Sequence, residues 1–357
     1  MYFFYDIITM VMYMYRKYAE KAMDKAVKLL GIDSPTGYTK EAAEYVKNEL
    51  TALGFDAFIT EKGGVAASLG GKDEKNALLL EAHLDTLGGM VAEIKSNGRL
   101  RITPLGGLNG FNTEGENCRV ITRKNGVFDG TFLLKNPSIH VNGEFNKTDR
   151  SFDNMEVVLD EDVKTAEDVK ALGIMNGDIV AFDTRTVVTK SGYIKSRFLD
   201  DKLSVSAILA FAEYLRDENI IPDRRIYLHI TVYEEVGHGA AAVPFDGITE
   251  VLSVDMGCIG EGLTCTEKQV SICAKDSGGP YNYDITTRLI EAAEKTGADY
   301  SVDIYPHYGS DAEATLRGGH DCRHGLIGPG VYSSHGYERS HIDGVENTIR
   351  LLTGFAV

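Results

Sequence analysis

Asn76-Ala77-Leu78-Leu79-Leu80-Glu81-Ala82-His83-Leu84-Asp85 is the stretch on which the reading of the fold turns. Its apolar residues run consecutively instead of alternating, over a short span bounded by turn-formers. That pattern belongs to a central strand of a sheet covered by helices on both faces. The run delivers His83 and Asp85 to the strand's carboxyl end. A second strand end repeats the theme. Ile226, Leu228, Ile230 and Val232 alternate as a buried strand and lead into Tyr233-Glu234-Glu235-Val236-Gly237. Two carboxylates at the end of a buried strand are costly without a partner. Neighbours on a strand point to opposite faces, so the pair is either divided between faces or the chain bends there. A third run, 251–254, ends in Asp255.

Outward from these strands, helical spacing predicts helices over 16–30, 39–53, 204–216, 283–296, 311–317 and 343–353. Strands are expected at 56–60, 65–69 and 301–305, with a strand end at 326–328. Strands alternating with helices on both flanks indicate an α/β sheet. Between about 89 and 195 the texture changes to short β-like runs (90–94, 100–104, 119–123, 126–134, 178–182) separated by glycine and asparagine turns. Turn signals at that spacing indicate a small barrel or sandwich. One helix, 165–172, interrupts it, with Thr165 and Asp168 as a capping pair. The expected organisation is a discontinuous catalytic domain, 1–88 and 196–357, with an all-β barrel inserted at 89–195.

With 357 residues, 43% hydrophobic and 25% charged, the chain can bury a large core. A formal charge of -16 argues against nucleic acid and anionic membrane surfaces as partners. Five cysteines, odd in number and without a Cys-x-x-Cys, fit free thiols in a reducing, cytoplasmic compartment. Residues 1–15 are markedly apolar, but Asp6 interrupts them, and the run 7–15 is shorter than the ~20 residues that span a bilayer. No basic start marks a secretory signal. The stretch is read as a helical extension packed on the body or on a partner subunit.

His83, Asp200, Glu235, Asp255 and His335 each fall where a predicted strand or loop ends, and open α/β sheets bind ligands at the carboxyl ends of their strands. Any one alone has a bland explanation as a solvated or capping residue. Together, two histidines and three carboxylates suit zinc, cobalt or manganese. Shared by two ions about 3.5–4 Å apart, they make the clamp of dinuclear hydrolases.

The chain resembles the co-catalytic metallo-aminopeptidases that include glutamyl aminopeptidases, deblocking aminopeptidases and proteins once labelled cellulase M. The resemblance runs from about residue 15 to 352. It is carried by Glu81-Ala-His-Leu-Asp-Thr-Leu-Gly88, Pro104-Leu-Gly-Gly107, Leu172-Gly-Ile-Met-Asn-Gly-Asp178, Phe198-Leu-Asp-Asp-Lys202, Tyr233-Glu-Glu-Val-Gly-His-Gly-Ala240, Ser253-Val-Asp-Met-Gly257, Gly309-Ser-Asp-Ala312 and Tyr332-Ser-Ser-His-Gly-Tyr-Glu338. It implies a zinc exopeptidase-like fold: a helix-flanked mixed sheet with the inserted barrel serving oligomerisation and access. It also implies two divalent ions, zinc first with cobalt or manganese as options. Asp200 would bridge them, His83 and Asp255 completing one site, Glu235 and His335 the other. Glu234 would be the general base for a metal-bridging water, and Asp85 would orient His83 through its second ring nitrogen. Short peptides would be substrates, and relatives form homo-oligomers, often dodecamers.

Two departures from the family pattern stand near these residues. Lys202 follows Asp201 where the family has Arg, and Gly336-Tyr337 follow His335 where it often has Ser-Pro; both bear on the walls of the substrate pocket. His341 is the rival to His335. The competing functional classes are another amide hydrolase of the same site type, such as a deacylase, and a non-catalytic binding scaffold. A glucanase would leave both histidines unexplained.

Overall fold

Leu78, Leu79 and Leu80 are all fully buried, because the strand that carries them has a hydrophobic layer on each side. The computed structural model describes residues 2–357, with side chains from residue 14 onward. Its elements begin with α1 (Tyr2–Leu30), α2 (Lys40–Ala52), β1 (Ala57–Ile59), β2 (Val65–Gly70) and β3 (Asp73–His83). There follow β4 (Gly88–Ile94), β5 (Leu100–Leu105), α3 (Gly110–Thr113), β6 (Asn117–Ile121), β7 (Val127–Leu134), β8 (Met155–Leu159), α4 (Ala166–Ala171) and β9 (Ile179–Phe182). The chain then makes β10 (Val187–Val188), β11 (Tyr193–Ser196), α5 (Leu199–Asp217), β12 (Arg224–Thr231), β13 (Ile248–Val254), β14 (Gly257–Ile259) and β15 (Val270–Lys275). It closes with α6 (Tyr283–Thr296), β16 (Tyr300–Ile304), α7 (Asp311–Arg317), β17 (Arg323–Tyr332), β18 (Glu338–His341) and α8 (Ile342–Ala356).

One twelve-stranded mixed sheet runs β1-β2-β12-β3-β13-β17-β18-β11-β10, with β14 and β15 attached at β17 and β16 added on β15. Its centre, β12-β3-β13-β17, is parallel, and β2 and β15 add on antiparallel. Leu78, Leu80, Leu252 and Ile327 face the layer built by α1, α5 and α8. Leu79, Val251 and Leu326 face the other side with Ala312 of α7. This two-sided cover is why the run in β3 shows no alternation. Each fully buried leucine there contributes about 2 kcal/mol of transfer free energy.

The strands β4-β5-β8-β7-β6-β9 form a closed barrel. Sequence periodicity finds all of them except β8, Met155–Leu159. Its second residue, Glu156, is buried and neutralised by Lys95 and Arg99, at 2.6 and 2.5 Å, partners about 60 residues away. The helix α4 carries the expected capping box, Thr165 with Asp168. Elsewhere β14, β15 and the β18-β11-β10 edge add strands that the sequence reading leaves in loops.

The helix expected at 16–30 is the C-terminal half of α1, which continues the extension back to Tyr2. Tyr15, Tyr18, Ala19, Ala22 and Ala26 bury its stripe against α5 and α8. What residues 2–13 pack against lies outside the described side chains. Among the described residues, no helix is long and apolar enough to cross a membrane. The five cysteines are free thiols.

Candidate metal centre and active site

Four strand ends and one helix start converge at a single edge of the sheet. His83 is the last residue of β3, Asp255 follows β13, and Asp200 opens α5. His335 lies in the turn between β17 and β18. Glu234 and Glu235 sit in a single 3-10 turn after β12, entered through Tyr233 at φ 70°. The chain therefore bends at the glutamate pair, and both side chains line the same cavity.

Asp200 lies between the two histidines. His83 Nε2 is 3.0 Å from one of its carboxylate oxygens, and His335 Nε2 is 3.7 Å from the other. His335 Nε2 is also 3.8 Å from Glu235 Oε2. The first turn of α5 is not helical at Asp200 and Asp201, which aims both carboxylates at this edge. Asp201 is a residue that the sequence reading passed over. It is fully buried, accepts the His83 amide at 3.2 Å and leaves its other oxygen without a partner. Adjacent Asp200-Asp201 were the available signal, but alternation assigns neighbours to opposite sides, and only the local kink turns both inward.

His83 Nδ1 is 2.9 Å from the backbone carbonyl oxygen of Asp85, while the Asp85 carboxylate stands 3.8 Å away. That carboxylate is engaged elsewhere, accepting the Glu234 amide at 3.1 Å and the Thr36 hydroxyl at 2.7 Å. Asp85 thus touches both His83 and the base candidate, through different atoms. Glu234 Oε2 lies 3.8 Å from His83 Nε2. Glu338 is buried beneath the centre and accepts the amides of Asp200 at 3.2 Å and His335 at 3.0 Å.

The electrostatics are those of an acidic site short of positive charge. Burial, then the neighbouring carboxylates Asp255 and Asp200, push Asp201 well up. Burial does the same to Glu234 and Glu235, with Asp311 and Asp200 adding to it. Asp255 is pushed up to about 7 by burial and Asp200. Burial opposes a charge on His83, yet its hydrogen bond to Asp200 and the charges of Glu234, Asp255 and Asp200 raise it well above the ordinary range. Burial also opposes the Asp200 charge, but His83 and then His335 hold its carboxyl low.

Two donor sets, His83-Asp200-Glu235 and His83-Asp201-Asp255, each bring their ligand atoms within 4.8 Å of one another. Glu235 Oε1 and Asp201 Oδ1 are buried without a hydrogen-bond partner. Orphaned carboxylate oxygens inside a crowd of like charges are what divalent cations would compensate. The residues fit a metal centre.

Among the residues lining the adjoining cavity of about 570 Å³ are Met256, Cys258, Ser277, His307, Tyr308 and Arg317, in addition to the site carboxylates. Lys202 is not among them. It is buried and donates to the carbonyls of Leu29 and Ile32, so this departure does not touch the pocket. His341 is engaged away from the centre, accepting the Asp343 amide at the start of α8 and contacting the Ser191 carbonyl.

Comparison with known proteins agrees with this architecture. Residues 63–351 match the M42 glutamyl aminopeptidase family. YhfE of Bacillus subtilis, provisionally named an aminopeptidase, is 43% identical over 332 residues, covering 93% of this chain and 96% of that protein. The glutamyl aminopeptidase of Lactococcus lactis is 26% identical over 262 residues, 68% of this chain and 71% of that one. A Pyrococcus horikoshii TET1 peptidase, which can assemble into a tetrahedron or a large octahedral shell, shares the fold. Its TM-score is 0.81 at 23% identity, covering 94% of this chain and 99% of that one.

Proposed function

Because the chain belongs to the M42 glutamyl aminopeptidase family, and is thereby a peptide hydrolase, we propose that it removes the first residue of short peptides with Glu234 as general base. The observation that carries the reading is the position of Glu234. Its backbone is held by Asp85, and its carboxylate faces His83 at the rim of the two donor sets, inside the cavity.

Asp200 would lie between two divalent ions, zinc first, with His83, Asp255 and Asp201 on one side and Glu235 and His335 on the other. When bound, such ions supply Lewis acidity, lowering the pKa of a water and polarising the scissile carbonyl. Glu234 takes the proton of the attacking water and returns it to the leaving amine. Burial holds its carboxyl above the ordinary range, which strengthens it as a proton acceptor. Asp85 fixes the carbonyl contact that orients His83 and the amide that places Glu234. Glu338 holds the backbones that present Asp200 and His335.

The inserted region, 89–195, whose strands up to β9 make the barrel, is assigned to self-association and restricted access. Support comes from its closure as a separate six-stranded unit and from the shell-forming Pyrococcus peptidase.

The decisive measurement uses paired substrates, each aminoacyl anilide beside its N-acetylated form, with zinc, cobalt or manganese restored to chelator-stripped protein. Turnover of the free-amine member alone, lost on stripping and regained with metal, supports an aminopeptidase. Release of acetate from the acetylated member would instead make the protein a deacylase. Full activity after stripping would sink the metal mechanism.

A further inference from the structure

His335 is the one proposed ligand left largely in the open, its side chain 43% exposed where that of His83 is 2%. Its backbone is in the left-handed region at φ 60°, so the turn that presents it is not a relaxed one. Its presentation depends on residues from another part of the chain. The connection from β5 to α3 carries Gly106-Gly107, and both glycines press on the same half of the centre. A Cβ on Gly107 would lie 2.6 Å from His335 Nδ1 and 2.7 Å from its Cε1. A Cβ on Gly106 would lie 3.1 Å from Glu235 Cβ and 2.7 Å from a methyl of Leu87. The imidazole therefore rests on the bare backbone of Gly107. Gly106 has a positive φ of 67° and needs glycine for its conformation as well. Gly107 has no such requirement, so space is the reason for a glycine there.

Further contacts tie the His335 turn to the inserted region, directly through Asn112 and indirectly through Arg197. Asn112 of α3 donates its side-chain amide to the His335 carbonyl at 3.3 Å. Arg197 is 3% exposed and donates to the Gly336 carbonyl at 3.4 Å. The same guanidinium also donates to the Asn112 carbonyl and pairs with Glu116 at 3.0 Å. The inserted region thus supplies a seat under the imidazole, and Asn112 with Arg197, itself anchored on that region, clamps the backbone.

Resting on the two-ion reading above, we infer that Gly106-Gly107 forms the cradle of the Glu235–His335 half of the metal centre, so the inserted barrel sets the affinity of that half. Gly107 acts as a positioning residue. With a methyl at 107, the ring must retreat from 2.6 to 3.4 Å to reach ordinary van der Waals contact, about 0.8 Å. Metal–ligand distances tolerate about 0.2 Å. The ring cannot make that retreat and keep its place beside Asp200 and Glu235. The other half, built on His83, Asp201 and Asp255, does not touch the cradle and is left intact.

The test is a cobalt(II) titration of metal-stripped full-length protein, followed by visible absorption and calorimetry. Wild type should take up two equivalents. Gly107→Ala should keep one at wild-type affinity and bind the second about 10–100-fold more weakly, with an altered absorption band for that step. Gly143→Ala, at a barrel glycine with nothing within 4 Å, should titrate like wild type. Two equivalents bound by Gly107→Ala with wild-type affinity and spectrum would overturn the inference. Should Gly107→Ala lose its circular dichroism, Asn112→Ala decides. It removes one hydrogen bond to the His335 carbonyl and should weaken only the second ion, about two- to tenfold. An unchanged second ion in that variant also overturns the inference. A wild type that binds fewer than two equivalents defeats the two-ion reading itself, which the titration separates from a failure at Gly107.

Discussion

Replacing Glu234 by glutamine should separate two roles that the structure superimposes on one carboxylate. The change keeps the shape and the amide contact to Asp85, but removes the base. Every other nearby carboxylate is committed. Asp85 holds Thr36 and the Glu234 amide, Asp201 holds the His83 amide, and Asp200, Glu235 and Asp255 belong to the donor sets. With no substitute in reach, the loss in kcat should fall well within the usual hundred- to ten-thousandfold for a general base, about a thousandfold. That corresponds to about 4 kcal/mol of activation free energy, since each tenfold is about 1.4 kcal/mol. Metal content and KM should stay near wild type. Stability should move the opposite way. Burial, then the like charges of Asp311, Asp255 and Asp200, disfavours the Glu234 carboxylate in the metal-free protein. A neutral amide relieves that repulsion, so the melting temperature of stripped Glu234→Gln should exceed that of stripped wild type. The assay pairs steady-state kinetics at matched metal content with thermal melts after chelation. Activity within tenfold of wild type at full metal content would refute the base assignment. A lower melting temperature in the stripped variant would refute the account of charge crowding.

Asp201→Asn removes a buried charge with one unpartnered oxygen, and metal affinity by calorimetry should fall about 10–100-fold. Stripped protein should melt lower at pH 7.5 than at pH 5. Asp255 at about 7 and Asp311 at about 6 keep protons that the unfolded chain releases near pH 4, so folded-state stability declines as pH rises through that window. His229, lowered to about 4, Lys202, lowered to about 7, and His324 oppose this through burial, but Glu81 at about 8 and Glu313 at about 7 add to it. Restored divalent ion should abolish the difference; a stripped protein that is more stable at pH 7.5 would contradict the crowding. Glu250→Ala, far from the centre, leaves Arg224, Arg288 and Arg323 without their shared buried partner. Denaturant titration should show a loss of about 3 kcal/mol, while turnover per folded molecule stays unchanged.

Consecutive leucines in 78–80, alternation in 226–232 and a polar residue at each strand end are local patterns, and together they determine the α/β class and nominate the residues at its carboxyl edge. Local pattern also reaches five barrel strands and the Thr165 cap. It fails where the deciding partner is remote. Strand β8 escapes notice because Glu156 is tolerable only once Lys95 and Arg99 neutralise it across the closed barrel. Asp201 escapes because the first turn of α5 departs from helical geometry, and period-based reasoning assumes regular geometry. The atoms through which Asp85 acts, carbonyl to His83 and carboxylate to Glu234, depend on how two loops meet. The glycines at 106 and 107 read in sequence only as a turn. Their weight comes from an imidazole that arrives more than 220 residues later in the chain. A periodic pattern encodes which face of an element is buried; only packing decides what that face, or a missing side chain on it, comes to touch.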